Sequence, residues 1–208
     1  PAPSITSTRS ALSNGDVFTI NYSSAGGANN IADRYNTSHR VNDGAWTAWV
    51  NGTTLTALST GSYYGLKWDF AVQAGNQDAK SAYTYLYSRY SRPYAPTSVT
   101  ASALTRSTVN IAYSATNYVC ATSAYVYRKN VTTGVTELLT TTAGLTSYTD
   151  TTVGAGSWQY IVKYYGSGGF SNEVTSNTIN IYTVSFMSDG NIYSSSTIIS
   201  GSTAVAPA

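Results

Sequence analysis

The sequence predicts an all-β protein in which two similar β-sandwiches follow one another and a short β segment comes after them. Two stretches carry this prediction, because residues 17–23 and 108–114 both alternate large apolar with polar residues, as in a strand with one face on a core. They lie about one small sandwich domain apart, roughly 100 residues. The 19 tyrosines and 4 tryptophans also favour strands over helices.

The low charge content indicates which residue types cover the surface. Only 10% of the 208 residues are charged, against ~25% in a typical soluble domain, so Ser, Thr, Asn, Gln and Tyr must cover the surface. Such a surface suits an extracellular protein. The net charge is +2, and the lysines and arginines form no cluster along the chain. We therefore expect no nucleic-acid partner, because binding to phosphates needs a basic patch.

The chain has one cysteine, Cys120, which excludes a disulfide within the molecule and predicts a small buried apolar side chain. A bridge between molecules is the alternative. There is no run of ~20 apolar residues, so we expect no insertion into a membrane. The opening residues Pro1-Ala2-Pro3 resemble the start of a processed or excised segment.

The first predicted sandwich covers residues 1–92. Its strands are expected where apolar and polar residues alternate, and its turns at Asn-Gly, Asn-Asp-Gly and Gly-Asn sequences. The alternation is clearest at residues 66–72, where Trp68, Phe70 and Val72 share one face. The expected strands are residues 3–8, 17–22, 35–41, 46–50, 54–58, 66–72 and 83–87.

The second predicted sandwich covers residues 93–182. It follows Arg92-Pro93-Tyr94-Ala95-Pro96, where two prolines remove main-chain donors and disfavour regular structure. A linker this short predicts semi-rigid rather than freely hinged domains. Turn sequences then separate seven short strands, which is a sandwich pattern. The expected strands are residues 97–103, 108–114, 124–128, 136–141, 147–149, 158–164 and 173–181.

A series of motifs in this second part resembles a fibronectin type III domain. The series is Ala95-Pro96-Thr97-Ser98-Val99, the strand with Val109, Ile111 and Tyr113, Tyr125-Val126-Tyr127-Arg128, Tyr148-Thr149-Asp150-Thr151, Trp158-Gln159-Tyr160-Ile161-Val162 and Gly169-Phe170-Ser171-Asn172-Glu173. The resemblance implies an immunoglobulin-like sandwich. Tyr113 stands where the family usually has tryptophan, and Trp158 stands at its corner tyrosine. Residues 1–92 resemble the family more loosely, and residues 26–49 do not match well.

Residues 183–208 form the third, short β segment. Tyr182-Thr183-Val184-Ser185-Phe186, Ser188-Asp189-Gly190 and the Ser/Thr-rich stretch that follows resemble the first half of an internalin-type B-repeat. That resemblance implies a bacterial cell-surface protein. The segment has too few residues to close a core, so it packs on the second sandwich, stays mobile or finds a partner. The candidate assembly residues are Val184, Phe186, Ile198 and Ile199.

The sequence predicts no catalytic residue, no cofactor and no metal ion. The single histidine, His39, has no recognisable nucleophile motif beside it, and Cys120 has no basic neighbour in sequence that would make it a thiolate. The 9 carboxylates are singletons, mostly at turns, without the spacing of a calcium loop, and no zinc-ligand cluster occurs. We therefore expect that the protein is not an enzyme.

Dense aromatic residues mark the candidate contact surface. Tyr83, Tyr85 and Tyr87 share one face of a predicted strand, because side chains alternate. Trp46 and Trp49 are three residues apart, so on one strand they face opposite sides. The simpler interpretation is core and cross-strand packing. The alternative is an exposed surface that stacks on sugar rings or meets a flat protein, since Tyr and Trp combine apolar area with a polar tip.

These observations favour a non-enzymatic structural or adhesion module of a secreted or cell-surface protein, which contacts a protein or a glycan. A second hypothesis is a virion or filament subunit that assembles into a fibre by adding its C-terminal strands to the sheet of a neighbour. A third is an accessory carbohydrate-binding module of a secreted hydrolase, motivated by the hairpin with Trp46 and Trp49. The sequence leaves all three open.

Overall fold

The computed structural model describes residues 2–12, 15–23, 34–47, 50–52, 58–59, 63–75, 80–105 and 107–205. The all-β prediction is confirmed, because these residues form strands and turns but no helix. The chain divides into two compact units. The first unit is Pro1–Pro93 with Ser167–Gly169, and the second is Tyr94–Gly166 with Phe170–Ala208.

The described part of the first unit contains seven strands. They are β1 (Ser4–Leu12), β2 (Gly15–Ser23), β3 (Arg34–Val41), β4 (Val50–Gly52), β5 (Leu58–Ser59), β6 (Lys67–Gly75) and β7 (Thr84–Tyr90). They form two antiparallel sheets with the orders β1-β2-β5 and β4-β3-β6-β7. Of the strand expected at residues 46–50, Trp46 and Thr47 are not in a strand and Val50 is the first residue of β4. Residues 48–49 and 53–57 lie outside the described part.

The core of the first unit is aromatic. It contains Phe18, Ile20, Trp68 and Phe70, each at most 5% exposed. The rings of Trp68 and Phe70 are stacked with centroids 5.9 Å apart. Because side chains alternate along a strand, β6 turns Asp69 and its alternate neighbours to the opposite face of the sheet. We call that opposite face of the β4-β3-β6-β7 sheet the outer face of the first unit.

Ten more strands follow in the described part of the chain, and apart from Gly169, the first residue of β14, they belong to the second unit. They are β8 (Ser98–Thr105), β9 (Thr108–Ser114), β10 (Ser123–Asn130), β11 (Thr136–Thr142), β12 (Ser147–Asp150), β13 (Gly156–Gly166), β14 (Gly169–Phe170), β15 (Val174–Thr175), β16 (Ile179–Ser188) and β17 (Asn191–Ile199). One sheet has the order β12-β9-β8, and the other has the order β11-β10-β13-β16-β17, with β14 and β15 also on β13. The repeated stretches of the sequence are β2 and β9, and each is the middle strand of a three-stranded sheet.

Three buried tyrosines distinguish the core of the second unit. The Tyr164 hydroxyl donates to the carbonyl of Leu145 at 2.8 Å, and the Tyr160 hydroxyl donates to Asp150 Oδ2 at 3.0 Å. Tyr113 donates to main-chain carbonyls just before and at the start of β12. Each hydroxyl therefore has the acceptor that burial requires. Burial raises the pKa of Tyr113 to about 12, and it raises the pKa of the other two phenols as well.

The two positions that depart from the fibronectin type III pattern have different surroundings. Tyr113 is 3% exposed and belongs to the core of the second unit. Trp158 is half-buried, donates its indole N–H to the carbonyl of Gly154 at 2.9 Å and has the guanidinium of Arg128 4.9 Å from its ring centroid. Both substitutions are therefore compatible with the sandwich.

The last strand of the second sandwich does not run as one piece. The strand expected at residues 173–181 is interrupted between β15 and β16, where the Asn177 amide accepts from the N–H of Ala101 at 2.9 Å and donates to its carbonyl at 3.0 Å. β16 then pairs with β13 through residues 179–181 only. Beyond that point it pairs with β17 in a hairpin, whose turn residues Asp189 and Gly190 have φ of 50° and 79°. We call residues 182–198 the C-terminal ribbon.

Candidate functional site

The predicted tyrosine row lies on the outer face of the first unit. In the register of β6 and β7, Ala71 is opposite Tyr85, whereas Phe70 is opposite Leu86 and faces the core. Tyr83, Tyr85 and Tyr87 are 42%, 43% and 51% exposed. Tyr85 and Tyr87 in the edge strand β7, and Tyr83 directly before it, therefore all reach solvent.

The rings of this row pack on one another. The centroids of Tyr83 and Tyr85 are 6.1 Å apart, and those of Tyr85 and Tyr87 are 5.5 Å apart with planes only 7° from parallel. Nearly parallel rings at this distance turn their faces to each other. The row consequently presents ring edges and hydroxyls to solvent more than it presents ring faces.

Trp46 extends the row across the sheet. Its ring meets Tyr85 edge-on at 5.8 Å, and the guanidinium of Arg40 lies 5.1 Å from its centroid. The tryptophan follows a tight turn in which Asn42 and Asp43 have φ of 50° and 59°. We call Trp46, Tyr83, Tyr85 and Tyr87 the aromatic row. Trp49, the other predicted tryptophan, lies outside the described residues.

A buried carboxylate fixes the position of the row. Asp69 is 1% exposed and accepts from Arg40 Nε at 2.7 Å and from the N–H of Ser88 at 2.7 Å. Ser88 has φ of 57° at a bulge in β7, directly after Tyr87. Asp69 thus fixes the position of Arg40, which lies over Trp46, and stabilises the bulge next to Tyr87.

The same network sets the charge beside the row. Lys67 Nζ donates to Asp43 Oδ1 at 2.6 Å, which lowers the pKa of that carboxyl. The hydrogen bond to Asp69 raises the pKa of Arg40. Both cations are therefore paired with carboxylates. Sequence reasoning missed Asp69, although an acid inside the apolar stretch of residues 66–72 was a visible signal.

The second unit carries an aromatic cluster that sequence reasoning also missed. The ring of Phe170 lies 4.9 Å from Tyr125 and 4.8 Å from Tyr165. Lys163 Nζ lies 5.0 Å from the centroid of Tyr127 and 4.6 Å from that of Phe170. The members on β10 and β13 occupy alternate positions that do not face the core, a pattern visible in the sequence.

The predicted assembly residues lie in and beside the C-terminal ribbon. Val184 and Phe186 share one face of the ribbon with Ile198, because residues opposite each other in an antiparallel pair point to the same side. Ile199 lies on the other face, opposite the buried Ile181. The structure therefore brings three of the four residues together on one face.

His39 and Cys120, the two residues that were considered for catalysis, are both partly buried. The His39 ring packs 5.5 Å from that of Trp68, and burial lowers its pKa. Burial raises the pKa of Cys120 to about 11, which keeps the thiol protonated at neutral pH. In the described part of the chain, no group of three or more His, Cys, Asp or Glu residues could hold a metal ion. Across the described ranges, no helix is long and apolar enough to cross a membrane.

Comparisons with known proteins concern the fold. Neither a protein-family model nor a curated protein matches this chain. A two-domain fibronectin type III segment of chicken tenascin is similar, with a TM-score of 0.54 and 13% identity over 86% of this chain and 99% of that one. Domains A168–A170 of titin have a TM-score of 0.44 and 16% identity, over 85% of this chain and 58% of the titin segment. Domains FN1–FN3 of chicken CNTN1 have a TM-score of 0.36 and 12% identity, over 76% of this chain and 58% of that one.

The tenascin similarity shows the architecture that the sequence predicted, which is tandem sandwiches of the fibronectin type III kind. At this identity the likeness concerns the fold alone. The resemblance of residues 183–208 to an internalin-type B-repeat, and the bacterial origin that it implied, stay predictions.

Proposed function

We propose that this chain is a non-enzymatic structural or adhesion module of an extracellular surface or fibre protein. The observation that carries the proposal is the aromatic row, exposed at an edge of the sheet and held in place by Asp69 and Arg40. A rigid row of Tyr and Trp suits an interface, because these side chains offer large contact area and lose little conformational entropy on binding. Tandem sandwiches of this kind and a surface with few charges also fit an extracellular module.

The ring geometry favours a protein surface over a sugar as the partner. A sugar stacks on the open face of an aromatic ring, whereas Tyr85 and Tyr87 turn their faces to each other. Ring edges with hydroxyl tips instead suit a protein surface, where apolar contact is combined with hydrogen bonds at the rim. Arg40 also lies over the ring of Trp46. A carbohydrate-binding module is therefore the less favoured alternative for this row.

The proposal is tested with the full chain immobilised on a chip and with the double variant Tyr85→Ser, Tyr87→Ser. Suspended mammalian, yeast and bacterial cells form one arm of the test, and soluble cellulose, chitin and xylan oligosaccharides form the other. We expect adhesion of at least one cell type, and a loss of roughly tenfold or more in the double variant, because aromatic residues dominate the energy of interfaces. We expect no binding of the oligosaccharides.

The matched control is Tyr165→Ser, which removes an exposed tyrosine of the second unit. This variant should bind cells as the parent chain does, while thermal melts check that all variants are folded. Equal adhesion by the double variant and the parent would contradict the aromatic row as the contact surface. Binding of oligosaccharides that the double variant loses would favour the carbohydrate-binding alternative.

A filament subunit is the second candidate function, since the C-terminal ribbon ends in an unprotected edge strand, β17. This alternative involves other residues than the aromatic row and needs its own test.

A further inference from the structure

The long edge strands of the described sheets are protected, with one exception. Natural sheets blunt their edges with charged side chains, prolines, bulges or covering groups, because free main-chain donors and acceptors invite pairing with another chain. The protected edges are β1 with Arg9, β7 with Arg89 and a bulge, β11 with Glu137, and β8, where the amide of Asn177 covers Ala101. The exception is β17.

β17 lacks these protective features along most of its length. It contains no charged residue and no proline, and its single bulge is the extra residue Tyr193 near the hairpin tip. Residues 194–199 then run without interruption. The other edge of the hairpin, on β16, is occupied by β13 at residues 179–181. Among the described residues, β17 therefore offers the longer free edge, nine residues against the seven of β16 beyond residue 181.

The free main-chain groups on this edge can be identified. The N–H of Ser200 donates to the carbonyl of Asn180 at 3.0 Å, so Ser200 points toward β16. In an antiparallel pair, successive residues alternate between pointing toward the partner strand and away from it. Ser195, Thr197 and Ile199 consequently direct their N–H and C=O groups away from the ribbon.

The ribbon also has an apolar face that its own two strands do not cover. Tyr182, Val184, Phe186 and Ile198 lie on this face, and Tyr182 is 51% exposed. An isolated two-stranded hairpin is marginally stable in water, whereas three or more strands with a hydrophobic face are stable. The ribbon would thus gain stability from additional strands in the same sheet.

We propose that β17 pairs with β17 of a second copy of this chain, antiparallel across a two-fold axis at Thr197. Two ribbons then form one four-stranded sheet in which Ser195 is opposite Ile199 and Thr197 is opposite itself. A second copy fits this edge because residues 190–205 carry no charge, so self-pairing brings no like charges together. Threonine opposite threonine is also a favourable cross-strand pair.

The test compares Thr197→Lys with Thr183→Lys in the full chain. Thr183 lies opposite Thr197 within the ribbon and on the same face, so it is a matched control away from the proposed interface. Sedimentation equilibrium of the parent chain should show a monomer–dimer equilibrium. Thr197→Lys places two ammonium groups opposite each other and should weaken dimerisation roughly fivefold or more. Thr183→Lys should change it by no more than about twofold.

A cysteine variant gives a readout that does not depend on loss of binding. Thr197→Cys in a chain with Cys120→Ser should form a covalent dimer with oxidised glutathione. Directly opposite residues in a hydrogen-bonded antiparallel pair have Cα atoms about 5.5 Å apart, which suits a disulfide. Thr183→Cys in the same background should stay largely monomeric.

Three results would overturn the pairing. The first is a parent chain that remains monomeric at millimolar concentration. The second is a dimer that responds equally to both lysine variants, or cysteine variants that cross-link equally. The third is growth beyond two copies, since a closed two-fold pairing stops at the dimer. None of these results bears on the aromatic row, so the adhesion function that it carries can fail or hold independently, whereas growth beyond two copies would support the filament alternative.

Discussion

Buried carboxylates organise both units of this protein. Asp69 in the first unit and Asp150 in the second are each 1% exposed. Each is paired with an arginine, at 2.7 Å from Arg40 Nε and at 2.9 Å from Arg128 Nη1. A charge is tolerated inside a protein only when ion pairs and hydrogen bonds replace its water. The two aspartates therefore tie neighbouring strands and turns together.

Replacement of Asp150 by Asn should destabilise the second unit by about 3 kcal/mol, because it leaves Arg128 without its buried counter-charge. The carboxylate also accepts from Tyr160 and from the N–H and hydroxyl of Thr152. An amide with one acceptor oxygen cannot replace all of these bonds. Urea unfolding followed by tryptophan fluorescence measures the change.

The control for this prediction is Glu137→Gln. Glu137 also pairs with Arg128, at 2.6 Å, but its side chain is 52% exposed. An exposed pair contributes little, so this variant should lose less than about 1 kcal/mol. Similar losses for the two variants would mean that burial of Asp150 does not determine its contribution.

For single residues, the sequence predicted positions that depend on one strand but not positions that depend on contacts between strands. Alternation was sufficient to place Tyr83, Tyr85 and Tyr87 on one face, because that inference needs only the geometry of one strand. It could not place Asp69, whose burial depends on Arg40 from another strand and on the bulge at Ser88. Contacts between residues distant in sequence decide such positions.

At the scale of strands, predictions from sequence were good where a strand pairs regularly along its length. The predicted residues 108–114 are those of β9. The final strand was predicted as one element over residues 173–181, but the amide of Asn177 binds Ala101 and interrupts it. That interruption depends on a contact across 76 residues, which no local pattern reveals.

The turn of the C-terminal ribbon depends on the positive φ of Gly190. Gly190→Ala should reduce amide protection in the C-terminal ribbon roughly fivefold or more, because φ of 79° is costly for a residue with a Cβ. A Cβ at this position would meet nothing within 4 Å, so the cost is conformational and not steric. Hydrogen exchange of the ribbon amides is the measurement.

The matched control for the turn is Gly154→Ala. A Cβ there would also meet nothing within 4 Å, and Gly154 is not among the glycines with positive φ. Its protection pattern should therefore equal that of the parent chain. If both alanine variants exchanged alike, the conformation of the turn would not limit ribbon stability.

At the scale of the whole molecule, two units with similar strand orders have chemically different cores. The first unit packs Phe18, Trp68 and Phe70 together, whereas the second buries the hydroxyls of Tyr113 and Tyr164 among main-chain acceptors. The sandwich thus requires apolar alternation, not a particular set of core residues. This explains why alternation predicted the architecture at 13% identity to a solved structure.

The tyrosine core should make the second unit sensitive to alkali. Burial raises the pKa of Tyr113 to about 12, against 10.0 when exposed, so folding favours the neutral phenol. The contribution of the Tyr113 phenol to stability is complete below pH 10 and is lost as the pH rises from 10 to about 12. We expect the free energy of unfolding, measured in urea on either side of pH 10, to fall with pH.

The control variant Tyr113→Phe removes the titrating hydroxyl. Its free energy of unfolding, although lower at neutral pH, should therefore fall less steeply with pH. An equal slope for both proteins would mean that this phenol is not coupled to folding.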